Sequence, residues 1–153
     1  MYKEMYEKLI ASAGEDITRD GIIGTYVHGN EPGHHIAYLY THAGAPWRTQ
    51  EEVRRIMADE YGLGPSGLKG NDDTGQMSAW YLFSALGFYP VCPGTPEYVF
   101  GSPLFNKATL AMPNGKTLTI EAKGNSPGNP YIQSVNLNGQ PHGKTWISHE
   151  ALQ

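Results

Sequence analysis

Basic residues are few in this chain and nowhere clustered. Eleven Lys and Arg stand against fifteen Asp and Glu, a formal charge of −4. A partner held through its phosphates needs grouped Lys and Arg, so nucleic acid is excluded as an expected partner. Cysteine is nearly absent too. Cys92 is the sole one, which rules out an internal disulfide and leaves the redox compartment unreadable. Between Val91 and Pro93 it is expected to be a small buried residue. No apolar run approaches the ~20 residues of a membrane span. Residues 1–6 do not have the apolar core of a signal peptide; they read as a helix already under way, as though the chain were a piece of something larger. Charged residues make up only 17% of the 153, while there are 19 Gly, 11 Pro, 10 Tyr and 3 Trp. An aromatic, glycine-rich, weakly charged chain suits a site for a neutral polar ligand such as a sugar.

The first half is helical in pattern. Residues 2–12 set Met5, Leu9 and Ile10 on one face. Residues 34–43 are apolar nearly all round, which marks a buried helix, and Gly44-Ala45-Pro46 stops them. Thr49 with Glu52 three residues on spells a capping box. The next helix is therefore expected from Thr49 to about Tyr61, with Val53, Ile56 and Met57 inward. Residues 73–86 form another apolar helix, stopped by Gly87. Short loops between helices predict antiparallel hairpins. Near residue 90 the grammar changes, and strands are expected at 97–100, 107–112, 117–122 and 131–137. Asn114-Gly115 and Asn138-Gly139 are hairpin signals. The fold class is thus α+β: helical hairpins over 1–90 and an antiparallel β-rich tail over 91–153. Four short strands make a poor independent sandwich.

Two polar loops carry the chemistry. One is His28-Gly-Asn-Glu-Pro-Gly-His-His35, the other Gly70-Asn-Asp-Asp-Thr-Gly75, and each places a carboxylate before an apolar helix. They read as one pocket seen from two sides. An aspartate at a helix start can be a cap and nothing more. Adjacent side chains there diverge by ~100°, so Asp72 and Asp73 do not both point into one pocket. Asn71 and Asp73 are the better pair: Asn71 orients a water and Asp73 takes its proton, with Asp72 as the alternative carboxylate. Glu31 before Pro32 either complements the dipole of a first turn or binds a hydroxyl or a metal. Oxygen donors from Asn30, Glu31 and backbone carbonyls suit calcium better than zinc. His28, His34 and His35 do not have the spacing of a zinc helix, and His35 is expected to be buried and hydrogen-bonded to a neighbour. Trp80 and Phe83 are expected in the core, leaving Trp47, in a loop after Pro46, to stack on a sugar face. Ser78 stands outside any G-x-S-x-G context, which disfavours a serine hydrolase.

Together these motifs resemble glycoside hydrolase family 92. So do Ala45-Pro-Trp-Arg-Thr-Gln50, Gly70 to Trp80, Leu86-Gly-Phe-Tyr-Pro-Val91, Gly101-Ser-Pro-Leu-Phe105, Tyr131-Ile-Gln-Ser134 and Leu137-Asn-Gly139. The resemblance runs from about Gly21 onward. It implies a calcium-dependent, exo-acting α-mannosidase that inverts at the anomeric carbon, acting on mannose-containing glycans in the periplasm or outside the cell. It also implies that the helices close an (α/α)6 barrel and that strands follow. Asp73 would be the general base, with Asn71 in the place of a second water-holding residue, often a carboxylate in the family. Glu31, His28 and Trp47 would face the sugar, and Glu31 with Asn30 would belong to the calcium shell. The family's general acid lies in a Glu-Gly-Asn-x-Trp-Gln-Tyr motif upstream of the Gly-Asn-Glu-Pro loop, and this sequence holds no such motif. The chain alone is therefore expected to be inactive, its acid coming from the rest of the enzyme or from a second copy. The alternative is a non-catalytic carbohydrate-binding or interaction fragment.

Overall fold

The computed structural model describes residues 22–23 and 26–153; the helix expected at 2–12 lies outside them. A short antiparallel pair opens the described residues, helices follow, and three small antiparallel sheets come last. Two-residue strands β1 (Ile22–Ile23) and β2 (Tyr26–Val27) pair and lead into 3₁₀ turns at Glu31–Gly33 and Ile36–Tyr38. Then come α1 (Leu39–His42), α2 (Pro46–Asp59) and α3 (Gln76–Leu86).

Two helical expectations are corrected. Residues 34–43 are broken helix, not one buried rod. Ala37 and Tyr38 pack inward, while Ile36, Leu39 and Tyr40 are each about two-fifths exposed. Apolar character on every side does not say which side is covered. The second correction concerns Thr49, which caps nothing. Pro46 supplies the first turn of α2, where its missing N–H is no loss. Thr49 lies inside the helix, buried, and its hydroxyl accepts from the Thr41 amide at 3.1 Å and the Thr41 hydroxyl at 2.9 Å. It ties α1 to α2 instead.

Val53, Ile56 and Met57 of α2 share one core cluster with Trp80 and Ala85 of α3, and their spacings put each set on one helical face. Trp80 is wholly buried, and around it stand Tyr38, Tyr61 and Tyr89. Gly87 ends α3 at φ 100°. The chain turns at once into β3 (Phe88–Tyr89), which pairs with β4 (Glu97–Phe100). Hairpins β5–β6 (Lys107–Ala111, Thr117–Glu121) and β7–β8 (Val135–Leu137, Gln140–His142) follow. Strand β9 (Trp146–Ser148) then returns to the far side of β4. Both Asn-Gly pairs sit in turns as expected, with Asn138 and Gly139 both at positive φ.

Sheet and helices share one core: Tyr89 and Val99 belong to the same cluster as Val53 and Trp80. Arg54 of α2 clasps the tail by donating to Ser102 Oγ at 3.0 Å, the Pro103 carbonyl and Asn125 Oδ1. Residues 131–134, expected as strand, are drawn out of any ladder because the Ile132 amide donates to Gln50 Oε1 of α2 at 2.9 Å. Cys92 is exposed, not buried; it sits in the proline-bounded loop between β3 and β4.

Candidate active site

The two polar loops meet backbone to backbone. A Cβ on Gly29 would lie 2.0 Å from the Lys69 carbonyl oxygen, and one on Gly70 would lie 2.8 Å from the Gly29 Cα. Only glycine permits that approach, and Gly70 also holds φ 148°. Beside the contact opens a cleft of about 330 Å³, within the range of small-ligand sites. Gly29, Asn30 and Glu31 form one wall; Lys69, Gly70, Asn71 and Asp73 form the other. Lys69 was not singled out in the sequence, having no motif around it.

The paired aspartates part company. Asp72 turns onto α3, where its Oδ1 accepts the Ser78 amide at 3.0 Å and its Oδ2 the Ser78 hydroxyl at 2.6 Å. Those hydrogen bonds hold its carboxyl below the usual carboxylate range. Asp72 is thus the helix's electrostatic cap, while Asp73 lines the cleft. Between Asp73 and α3 stands Thr74 at φ 53°, ψ 22°, a left-handed conformation uncommon for a branched residue. Nothing in the sequence signalled it.

Beneath the loops lies a buried aromatic layer. His28 is 0% exposed and does not line the cleft. Its Nδ1 is 2.7 Å from the Tyr26 hydroxyl and its Nε2 2.6 Å from the Tyr61 hydroxyl. Tyr61 donates its proton to the Met77 carbonyl at 2.9 Å. His28 must therefore donate from Nε2 and accept at Nδ1, as a neutral ring. Burial, helped by neighbouring His34, lowers its pKa to about 3. The buried histidine next to the second motif is His34, not His35, which is only half-buried. His34 stacks on His28 at 4.7 Å and donates from Nε2 to the His28 carbonyl at 2.9 Å. His28 gives a pH prediction. Between about 3 and 6.5 the unfolded chain takes up a proton that folded His28 refuses, so stability rises with pH. The melting temperature should fall as pH drops below about 6.5. The His28 ring nitrogens should keep their neutral NMR shifts down to about pH 4; titration near 6.5 would contradict the buried network.

Trp47 is 54% exposed, but it stands in the first turn of α2 rather than in a loop, and it is not part of the cleft wall. Glu31 is more telling. Its Oε1 is buried with no hydrogen-bond partner among the described residues, an arrangement a native fold rarely leaves without reason. No cluster of three His, Cys, Asp or Glu able to hold a metal occurs among the described residues. The oxygen donors at hand, Glu31, Asn30 and Asn71, fit part of a calcium shell in type.

The catalytic-domain pattern of glycosyl hydrolase family 92 matches residues 3–153. This chain belongs to that family. A family 92 α-mannosidase of Bacteroides thetaiotaomicron, solved with mannoimidazole, is similar at 39% identity and a TM-score of 0.85, over 99% of this chain and 20% of that one. A family 92 inverting mannosidase of the same organism is 50% identical with a TM-score of 0.77, over 84% of this chain and 18% of that one. An uncharacterized secreted glycosidase of Arthroderma benhamiae is 32% identical over 125 residues, 80% of this chain and 16% of the relative. The chain thus spans about a fifth or less of the length of these family 92 relatives. Its mix of few helices and small antiparallel sheets matches the two solved mannosidases in fold.

Proposed function

We propose that this chain is the base-bearing part of an inverting exo-α-mannosidase that removes terminal α-linked mannose from glycans. The observation that carries the reading is the division of the aspartates: Asp73 on the cleft opposite Glu31, Asp72 spent on α3. Inversion needs an acid and a base on opposite faces of the sugar, roughly 6.5–9.5 Å apart, with a water between base and ring. Asp73 takes the proton of that water, and Asn71, unable to take one, orients it. Glu31 and Asn30 hold sugar hydroxyls or calcium. Calcium, when bound, would template and polarise the sugar hydroxyls. The acid is to come from the remainder of a catalytic domain of the relatives' length, or from a second copy. In that domain α1–α3 help close an (α/α)6 barrel, residues 1–90 are its helical part and 91–153 its strand-rich end. A periplasmic or secreted location accords with the relative described as secreted. No helix among the described residues is long and apolar enough to cross a membrane.

The test is release of free mannose from a set of α-mannobioses, with calcium and again with chelator. It is run on this chain alone and on the full catalytic domain carrying it. Calcium-dependent release by the full domain and none by the chain alone is expected. Release by the chain alone would mean an acid inside it. No release by the folded full domain, with mannose still bound, would favour a non-catalytic carbohydrate-binding role.

A further inference from the structure

Three links from α3 reach the first loop, all starting within five residues of each other. Gln76 Nε2 lies 3.1 Å from His34 Nδ1. The Met77 carbonyl accepts from Tyr61, which in turn holds His28. Trp80 Nε1 donates to the His34 carbonyl at 3.0 Å. The first is distinct in kind, because it ties side chain to side chain where both loops end. His34 follows the Glu31 turn by three residues, and Gln76 follows Asp73 by three.

Proton accounting fixes the direction of that tie. His34 donates from Nε2 to the His28 carbonyl, so its Nδ1 is a bare acceptor, and the Gln76 amide must donate to it. The second Gln76 N–H goes to the Tyr89 hydroxyl at 3.0 Å. Both hydrogens of the Gln76 amide nitrogen are thus committed, one to the Glu31 loop and one to β3 in the core. An amide held at two points has one orientation, and that orientation fixes how far the 28–34 loop stands from the start of α3.

We propose that Gln76 is a positioning residue: through His34 it sets the separation between Glu31 and Asp73 across the cleft. The proposal rests on the mannosidase reading above, and it concerns a residue that is not on the cleft wall. Losing the bridge lets the two walls drift. A drift of about 1 Å between groups that must meet across a substrate costs on the order of 10²-fold in rate.

The experiment is a double-mutant cycle with Gln76→Met, which keeps the bulk and removes the donors, and His34→Gln. The second keeps a donor near the Nε2 position for the His28 carbonyl and removes the acceptor facing Gln76. In this chain alone, Gln76→Met should speed amide hydrogen exchange of residues 29–33 at least tenfold, with exchange in 46–59 unchanged. In the full catalytic domain it should lower kcat on α-mannobiose on the order of 10²-fold with KM changed less than threefold. On the His34→Gln background, adding Gln76→Met should cost under twofold, the signature of a shared path. Melting curves check that each variant folds. Should the cycle variants fail to fold, Gln76→Leu, read by hydrogen exchange and KM against kcat, takes the place of Gln76→Met. Unchanged exchange in 29–33, additive costs in the cycle, or a loss confined to KM would each overturn the proposal. A folded wild-type domain without mannosidase activity would overturn the functional reading and this one with it. An active wild type indifferent to Gln76→Met would overturn this one alone.

Discussion

In the full catalytic domain, Asp73→Asn should lower kcat on an α-mannobiose roughly 10²–10⁴-fold while KM stays near its starting value. The amide fills the space of the carboxylate and can still hold a water, but it cannot take that water's proton. Because Asp73 lies on the cleft wall and is exposed, the change removes no core packing, and the melting temperature should not move. Asp72→Asn is the contrast. Its carboxylate caps α3 through Ser78, so its main effect should be a lower melting temperature, with a smaller loss of rate. Kinetics of the two variants side by side decide the matter. Retained turnover in Asp73→Asn, or the larger rate loss in Asp72→Asn, would move the base away from Asp73.

That contrast turns on a distinction only partly legible in sequence. Two adjacent carboxylates at a helix start must diverge, so the sequence could say that one of them faces the cleft. Asn71 and Asp73, two residues apart, were the better bet for a shared face, and both do line it. What local pattern could not convey was the Asp72–Ser78 tie, which depends on the left-handed Thr74 turning the backbone between them. The same limit explains His34. Three histidines close together carry no periodicity that says which is inside. The answer comes from Trp80 and Gln76, 46 and 42 residues away in sequence. The strands at Glu97–Phe100, Lys107–Ala111 and Thr117–Glu121 and both Asn-Gly turns are legible because alternation and Asn-Gly are local signals, whereas the short strands β1, β2, β3, β8 and β9 carry too few residues to show a period. A capping box is a local signal too, and at Thr49 it misleads. What claimed its hydroxyl was α1, and tertiary partners override local propensity. The 131–134 segment failed for a like reason, its amide at Ile132 being captured by Gln50 of α2.

Gly29→Ala should have the other large effect, and it tests the meeting of the loops directly. The added Cβ would fall 2.0 Å from the Lys69 carbonyl oxygen and 3.2 Å from the Gly70 Cα. The obstacle is backbone, so no side chain can swing aside to relieve it. The loops must separate, and overpacking of this kind costs about 1–3 kcal/mol. Since Asn30 and Glu31 follow Gly29, and Asn71 and Asp73 follow Gly70, the parting is passed straight to the two walls of the cleft. A kcat loss on the order of 10²-fold is expected in the full catalytic domain, together with a lower melting temperature of this chain. Gly128→Ala is the control. Its Cβ would meet nothing nearer than Ser126 Oγ at 4.0 Å, and a change within ~0.5 kcal/mol is expected there. If Gly29→Ala lowers stability but leaves kcat untouched, the loop contact is scaffolding, and the distance between Glu31 and Asp73 does not govern the chemistry. If kcat falls while stability holds, the contact exists to set that distance, and the glycine is as much a part of the site as the carboxylates it brings together.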